Sequence, residues 1–356
     1  MNVFGGGERV AANLCNDLVN YFQVSLIMYN NASSVYRLKD EVKKIHLLNK
    51  DSCTRVQIHF SALKLRKYIK ENNIDVIMII GRSSYPLVPI LASLGIKTRI
   101  IFCDQSTLEY TKYVPRGVIG GAYRLVTQWA INTFCARIVT LTIKEKNNYQ
   151  RKYSIPENKL LSVYNYIEYK KLPEYNDCSK KIITVARIDY AKGMELLIEV
   201  AAMVLSEHPD WRWDVYGDGD SIYTNKIIKL KNQYGLDGKL FFCGKSDKIY
   251  DKYPQYSMFV FTSRYEGFGL TLLEAMAFGL PVVSFDIFSG PSEIVRHNVN
   301  GYLVKNFDVF QMKNYICDLI KNPEKRKAFR DNSRIDKEKF DKKNIVKKWK
   351  KILLGL

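Results

Sequence analysis

Apolar and polar positions along the chain form blocks with two different periods. Apolar runs of four to six residues, such as Val76–Ile80 and Thr98–Cys103, are typical of buried strands, and segments with a helical period, such as Ala122–Ala136, lie between them. Strands that alternate with helices predict parallel sheets covered by helices. The pattern stops in the polar residues 165–181 and restarts at Ile182. The sequence therefore predicts an α/β protein with two doubly wound domains.

The N-terminal end departs from this pattern. The glycine loop Gly5–Gly7 opens a predicted helix, Val10–Tyr21, although such a loop normally follows a strand. We expect that the first, central strand of the N-terminal sheet is truncated because the start was assigned at an internal methionine; the alternative is a stub strand at Met1–Phe4. The loop is not a dinucleotide fingerprint, because Val10 stands where the third glycine would be required.

In the second half, a strand, a glycine loop, a helix and a second strand follow one another. The apolar run Met258–Thr262 leads into Gly267 and Gly269, then into a helical segment, Leu270–Phe278, and a second apolar run, Val282–Phe285. This order predicts a parallel βαβ unit. The start of its helix presents free backbone N–H groups and the positive end of the helix dipole, which together suit an anion.

Two carboxylates accompany this anion site. Glu266 lies in the loop and Glu274 on the helix. A sugar nucleotide has a diphosphate between two hydroxyl-bearing groups, so one carboxylate could bind hydroxyls of the sugar and the other those of the ribose. Spacing alone leaves a second interpretation open, in which Glu266 is a turn residue and Glu274 a solvent-exposed helix residue.

Two cations are predicted at the same edge of the sheet. Arg187 and Lys192 bracket the turn after the strand Ile182–Ala186, and should project from its carboxyl end. A departing nucleoside diphosphate gains negative charge, which two fixed cations and a helix start would stabilise without a metal ion. Arginine suits bidentate phosphate contacts, whereas lysine acts as a point charge.

Three further turns carry candidate residues. Asp218–Asp220 has the form of a metal-binding D-x-D pair but is better explained as a glycine turn, and Gly217 could pack near a diphosphate. The turn Gly290–Glu293 could add N–H groups to the phosphate site or simply cap a short helix. Asp104 follows a strand and could contact sugar or acceptor, or cap the next helix.

Composition narrows the class of protein. With 47% hydrophobic and 26% charged residues the chain should fold, and its seven scattered cysteines predict reduced thiols in a cytoplasmic protein. The formal net charge is +19, to which residues 321–356 contribute 14 − 5 = +9. No nucleic-acid-binding signature is present, so we expect no nucleic-acid partner. An anionic membrane surface at the inner face of the plasma membrane is the expected peripheral partner, with a solvated basic face as the alternative.

These motifs resemble those of one family. The run EGFGLTLLEAMAFGLPVV, with Glu266 and Glu274, is similar to the E-x7-E signature of retaining GT-B glycosyltransferases of the family-four type, which build capsule, O-antigen and glycolipid glycans. GGGERV near the N-terminus, the Arg187/Lys192 turn, GDG and GPSEIV occur in matching order. The resemblance implies two Rossmann-like domains facing a cleft: an acceptor-side domain (1–168), a nucleotide-sugar domain (169–334) and a helix (335–356) that crosses back and packs through Trp349.

The resemblance also implies roles and substrates. The donor would be a UDP-sugar, with no cofactor or metal and with the anomeric configuration kept, and the acceptor a saccharide or a polyprenyl-diphosphate-linked glycan. Many relatives carry a histidine where this chain has Asp104. A UDP-sugar 2-epimerase and a non-catalytic nucleotide-binding component are the alternatives. The implied site residues are Glu266 and Asp104 as catalytic groups, and Arg187, Lys192, Glu266, Gly267, Phe268, Gly269, Leu270, Glu274, Gly217, Gly6 and Gly7 around the donor.

Overall fold

The chain forms two compact units. The computed structural model describes residues 6–31, 36–109, 117–169, 171, 179–305 and 307–356. One unit comprises Met1–Tyr166 and Lys342–Leu356, and the other Ile167–Asp341; the predicted divisions followed residues 168 and 334. The stub strand considered for Met1–Phe4 lies outside the described residues.

The first unit is built on parallel strands. Strands β1 and β2 pair with each other, and β3, β4, β5 and β6 form a second sheet in that order. Its elements are α1 (Gly6–Leu18), β1 (Ser25–Met28), β2 (Lys43–His46), α2 (Arg55–Phe60), α3 (Ala62–Glu71), β3 (Val76–Ile80), α4 (Leu87–Ser93), β4 (Arg99–Cys103), α5 (Val118–Phe134), β5 (Arg137–Thr140), α6 (Ile143–Tyr153) and β6 (Leu160–Ser162).

The two sheets of the first unit share one apolar cluster. Ile27 of β1 and Ile77 of β3 both pack against buried residues of α3 and α4, among them Leu65 and Val88. Among the described residues, however, no ladder joins β1 to β3.

Two elements of the first unit were not predicted. The helix that the sequence predicts from about Phe60 to Asn72 corresponds to α3, but the preceding helix α2 was missed; α2 ends at Ser61, whose hydroxyl donates to the Ile58 carbonyl at 2.6 Å and so competes with the helical backbone bonds. The strand β2 was missed, because the sequence of Lys43–His46 has too few apolar positions for a period to appear.

The second unit contains a single six-stranded parallel sheet in the order β12-β11-β10-β7-β8-β9, with a large apolar core. Its elements are β7 (Lys181–Val185), α7 (Met194–Glu207), β8 (Arg212–Tyr216), α8 (Ser221–Gln233), β9 (Leu240–Phe242), α9 (Ile249–Lys252), β10 (Met258–Phe261), α10 (Leu270–Ala277), β11 (Val282–Phe285), α11 (Pro291–Ile294), β12 (Gly301–Val304), α12 (Val309–Lys321), α13 (Pro323–Asp331) and α14 (Lys337–Phe340).

The C-terminal helix α15 (Lys342–Leu354) belongs to the first unit. Its buried residues Ile345, Val346 and Trp349 fall on one face, as the helical period requires. It packs against α1, and Lys342 Nζ lies 2.7 Å from an Asp17 carboxylate oxygen. The apolar stripe thus explains why a lysine-rich segment still folds onto the domain.

Candidate functional site

The strand order of the second unit creates a topological switch point. The chain runs outward from β7 through β8 to β9, then returns to place β10 on the other side of β7. The loops after β7 and β10 therefore leave neighbouring strands at the carboxyl edge and diverge in opposite directions. Ligands of open α/β sheets bind at such a point. The predicted cations lie in one of these loops and the predicted Glu266 in the other.

Backbone contacts hold the two loops together. A Cβ at Gly193 would lie 2.1 Å from the Thr262 carbonyl oxygen, so only glycine allows this approach. The Thr262 hydroxyl donates to the Lys192 carbonyl at 2.9 Å, and the Arg264 N–H donates to the Ala191 carbonyl at 2.8 Å. We call this contact region the loop junction. It leaves the side chains of the two loops little freedom to separate.

Lys192 and Glu266 meet directly at the loop junction. Their Nζ and Oε1 atoms are 2.5 Å apart, and the side chains are 18% and 14% exposed. The Ser263 hydroxyl also donates to Glu266 Oε1, at 2.7 Å, and the Asp189 side chain caps the turn by accepting from the Lys192 N–H. Both charged groups are thus positioned by neighbours while part of each still reaches the surface.

Arg187 occupies the same loop but a different environment. Its Nη2 lies 2.9 Å from Asp189 Oδ2, and 58% of its side chain is exposed. Gly217 packs closely against the backbone of this loop, since a Cβ at position 217 would lie 1.9 Å from the Ala186 carbonyl oxygen. The structure therefore places Gly217 against the backbone next to Arg187, where it sets the path of the loop.

A second glycine contact shapes the start of α10. Gly269, with φ of +94°, precedes the helix, and a Cβ at Gly290 would lie 2.0 Å from the Phe268 carbonyl oxygen. The Ser289 hydroxyl donates to the Gly267 carbonyl at 3.1 Å, while the Phe268 side chain is buried. Of the helix itself only Leu270 and the next residue are partly exposed. The accessible part of α10 is thus its N-terminal end.

Glu274 lies behind that helix start and is only 1% exposed. Hydroxyl groups of Tyr250 and Tyr253 approach its two carboxylate oxygens, each at 3.4 Å. Glu274 is therefore not a solvent-exposed helix residue. Sequence reasoning missed both tyrosines; their spacing of three on a short helical segment after β9 was the available signal.

Other acidic candidates have structural partners. Asp220 accepts hydrogen bonds from the N–H groups of Ile222 and Tyr223 and so caps α8, whereas Asp218 lies 3.3 Å from Lys245 Nζ. Both aspartates of the Asp218–Asp220 turn thus have partners: Asp220 caps a helix and Asp218 forms an ion pair with Lys245.

Asp104 of the first unit is fully buried. Its carboxylate accepts from Arg82 Nε at 2.9 Å, from the Ser106 hydroxyl at 2.7 Å and from the Tyr149 hydroxyl. As placed, Asp104 reaches no solvent, and it holds the partly exposed Arg82 at the end of β3. Gly6 and Gly7 open α1 in the same unit, with open space around both.

Glu145, which sequence reasoning missed, is a second buried carboxyl group of the first unit. It accepts hydrogen bonds from the Leu108 N–H at 2.6 Å and the Thr107 hydroxyl at 3.0 Å. Burial raises its pKa from 4.5 to about 7, although both hydrogen bonds favour the charged form.

Glutamine at position 145 should therefore change the pH dependence of stability. Between pH 4.5 and 7 the folded state holds a proton on Glu145 that the unfolded state has lost. The stability that this proton contributes is therefore complete below pH 4.5 and is lost as the pH rises through 7. From pH 4.5 to 8, Glu145→Gln should gain up to about 3 kcal/mol relative to the parent protein, measured by urea unfolding. The exposed Glu157→Gln is the control. A difference that does not vary with pH would contradict the prediction.

One group of possible metal ligands comes together in the described part of the chain: Glu207, His208 and Cys317. It lies at the end of α7 opposite the loop junction. The Lys313 ammonium contacts the Glu207 carboxylate there. This cation already pairs with the carboxylate, and the cluster is far from the predicted donor residues along the helix.

Comparison with known proteins agrees with the fold and the motifs. The model for "Glycosyl transferases group 1" matches residues 166–336, and that for "Glycosyltransferase Family 4" matches residues 4–171. The amylovoran biosynthesis glycosyltransferase AmsD of Erwinia amylovora is 25% identical over 98% of this chain and 96% of its own length. A Campylobacter jejuni α-N-acetylgalactosaminyltransferase, whose name specifies a diphospho-undecaprenol-linked glycan, is 26% identical over 99% and 96%.

A solved structure shows the same fold over the whole chain. Anabaena HepE in complex with UDP and glucose superposes with a TM-score of 0.85 at 18% identity, over 100% of this chain and 98% of its own. Two α/β units with parallel sheets agree with the GT-B fold, and the family models and relatives support glycosyltransferase activity. The chain belongs to the family-four type of GT-B glycosyltransferases, and its relatives support a role in bacterial surface polysaccharide synthesis. No helix in the described residues has the length and hydropathy needed to cross a membrane.

Proposed function

We propose that this chain is a retaining glycosyltransferase that moves a hexose or an N-acetylhexosamine from a UDP-sugar to a saccharide or lipid-linked acceptor, without a metal ion. The observation that carries the proposal is the Lys192–Glu266 pair at the loop junction, beside the accessible start of α10. A cation, a carboxylate and free helix N–H groups at one point match the phosphate and hydroxyl groups of a sugar nucleotide.

Each residue has a distinct task in this proposal. The Lys192 ammonium, which is now paired with Glu266, would contact the diphosphate and stabilise the charge that develops as the glycosidic bond breaks. Glu266 would then accept hydrogen bonds from the donor sugar. Arg187 is exposed and could turn from Asp189 to the phosphates. Glu274 would contact the ribose once its neighbouring tyrosines make room.

The acceptor hydroxyl would attack from the face that the diphosphate leaves, so that the anomeric configuration is kept. No protein nucleophile is needed, since the departing oxygen can itself take the proton of the acceptor. The relatives support the substrates: HepE was crystallised with UDP and glucose, and the C. jejuni protein acts on a diphospho-undecaprenol-linked glycan by its name. The family matches favour transfer over the epimerase alternative.

Nucleotide binding tests this proposal directly. In buffer that contains EDTA, UDP should raise the unfolding temperature of the protein, and more strongly than ADP. Lys192→Met should weaken UDP binding about 10- to 100-fold, because a charge-assisted hydrogen bond contributes about 1.5–3 kcal/mol. Isothermal titration calorimetry measures the affinity.

The chain offers a matched control for this substitution. Lys313 also pairs with a glutamate, Glu207, and its side chain is 19% exposed, but it lies at the opposite end of α7. Lys313→Met should therefore leave UDP affinity unchanged. Equal UDP affinity in the parent protein and Lys192→Met would refute the assigned role, as would UDP binding that requires manganese.

A further inference from the structure

Exposed apolar side chains are concentrated on one helix layer of the first unit. Twenty large apolar side chains are exposed in the described residues. Ten of them belong to α2, α3, α4 or α5, if Leu94 directly after α4 is included. The remaining ten are spread over both units, as is usual for single surface residues. A contiguous apolar surface, by contrast, marks an interaction site.

The exposed positions on α5 form a stripe with helical spacing. Ala122, Leu125, Val126, Trp129 and Thr133 are exposed. Buried residues of the same helix are Thr127, Gln128, Ala130 and Ile131. Trp129 is 60% exposed and Leu125 69%. Because α5 is apolar on its outward face as well as its inward face, part of its apolar surface stays exposed in the domain.

Helices α2, α3 and α4 continue this surface. The layer is continuous because α4 packs between α3 and α5. Two hydrogen bonds join its helices: Arg66 of α3 donates to the Ala92 carbonyl of α4 at 3.1 Å, and His59 Nε2 of α2 lies 3.3 Å from the Tyr123 hydroxyl of α5. We call the outward side of these helices the outer face. It carries the exposed side chains Phe60, Leu63, Leu91, Leu125, Val126 and Trp129.

Basic residues accompany the apolar ones, and acidic residues are nearly absent. The four helices contain six cations but one carboxylate, that of Glu71 at the end of α3. Lys64 and Lys67 are exposed beside Leu63. Long basic side chains next to apolar and aromatic residues are typical of surfaces that lie at the boundary between lipid headgroups and acyl chains.

From these observations we infer that the outer face is a docking surface for an anionic lipid bilayer, which Leu63, Leu125 and Trp129 enter while Lys64 and Lys67 contact anionic headgroups. This inference goes beyond the proposed function and does not depend on the identity of the donor. The sequence predicts an anionic membrane surface as a peripheral partner without assigning a face of the protein; this inference assigns the contact to the outer face rather than to the basic residues 321–356.

Tryptophan fluorescence offers a direct test, because Trp129 is the single exposed tryptophan among four; Trp211, Trp213 and Trp349 are buried. Vesicles of phosphatidylcholine and phosphatidylglycerol (3:1) should shift the emission to the blue and reduce iodide quenching. Trp129→Phe should abolish this shift while the protein still sediments with the vesicles. An unchanged shift in Trp129→Phe would overturn the inference.

Co-sedimentation with the same vesicles separates the apolar contribution from charge. Leu125→Ser combined with Trp129→Ser should lower the partition coefficient at least tenfold, with the unfolding temperature retained as evidence of folding. Ile222→Ser combined with Phe310→Ser is the matched control, since both residues are exposed apolar side chains of the second unit. Equal binding by the two double variants would overturn the inference.

The charge contribution has its own pair of variants. Lys64→Gln combined with Lys67→Gln should reduce binding to phosphatidylglycerol vesicles several-fold, whereas Lys347→Gln combined with Lys351→Gln on α15 should not. The reverse order would assign membrane contact to the C-terminal helix and overturn the inference. Absence of binding to vesicles that contain phosphatidylglycerol would also overturn the inference. A lipid-free dimer that Leu125→Ser and Trp129→Ser dissociate would do the same, because the outer face would then be an interface between copies.

Discussion

Replacement of Glu266 by glutamine is expected to lower the rate of sugar transfer about 100- to 1000-fold. The amide keeps the size of the side chain but removes the charge that we propose orients the donor, and loss of one preorganised polar group from a transition-state site has this magnitude. The affinity for UDP should stay equal to that of the parent or rise, because Lys192 loses its partner, 2.5 Å away, and becomes available to the diphosphate. Initial rates with a UDP-sugar and calorimetry with UDP measure the two quantities.

Glu207→Gln is the control for this substitution. Glu207 also pairs with a lysine, at the opposite end of α7, so the chemical change is the same and only the location differs. Its transfer rate should equal that of the parent. A parallel fall of UDP affinity and rate in Glu266→Gln would show that Glu266 acts by holding Lys192 and not by contact with the donor sugar.

Alanine at Gly193 is expected to cause a large loss of stability. Its φ of +64° costs an L-residue about 1–2 kcal/mol, and the new Cβ would lie 2.1 Å from the Thr262 carbonyl oxygen. The neighbour is backbone, so the two loops must move apart. We expect a total cost of about 4 kcal/mol in urea unfolding, which is the scale of an overpacked buried site added to the backbone cost.

Gly235→Ala separates the two causes. Gly235 has the same φ of +64°, but a Cβ there meets nothing within 4 Å. Gly235→Ala should therefore show the backbone cost of about 1–2 kcal/mol alone and retain UDP binding. In Gly193→Ala the binding of UDP should be lost as well, because Lys192 and Glu266 depend on the loop junction. If the two variants are equally stable, the loop junction does not have the close contact described above.

One omission of the sequence interpretation shows its limit. Strand β2 pairs with β1 although its own sequence is rich in lysine. Its partner, rather than a local hydrophobic pattern, decides that this segment is a strand. Asp104 illustrates the same limit: its position after a strand indicated a ligand contact or a helix cap, whereas its ion pair with Arg82, 22 residues earlier in the chain, could not be read from the sequence.

The sequence by itself determined most of the strands and helices, because the two hydrophobic periods are local properties; strand β2 was an exception. It also indicated where turns occur, since a glycine such as Gly193 or Gly269 marks a turn by its residue type alone. Only the tertiary structure decided which of these turns meet. Lys192 and Glu266 are 74 residues apart and come into contact because β10 returns to pair with β7. Strand order depends on how the apolar faces pack together, and no local pattern records it.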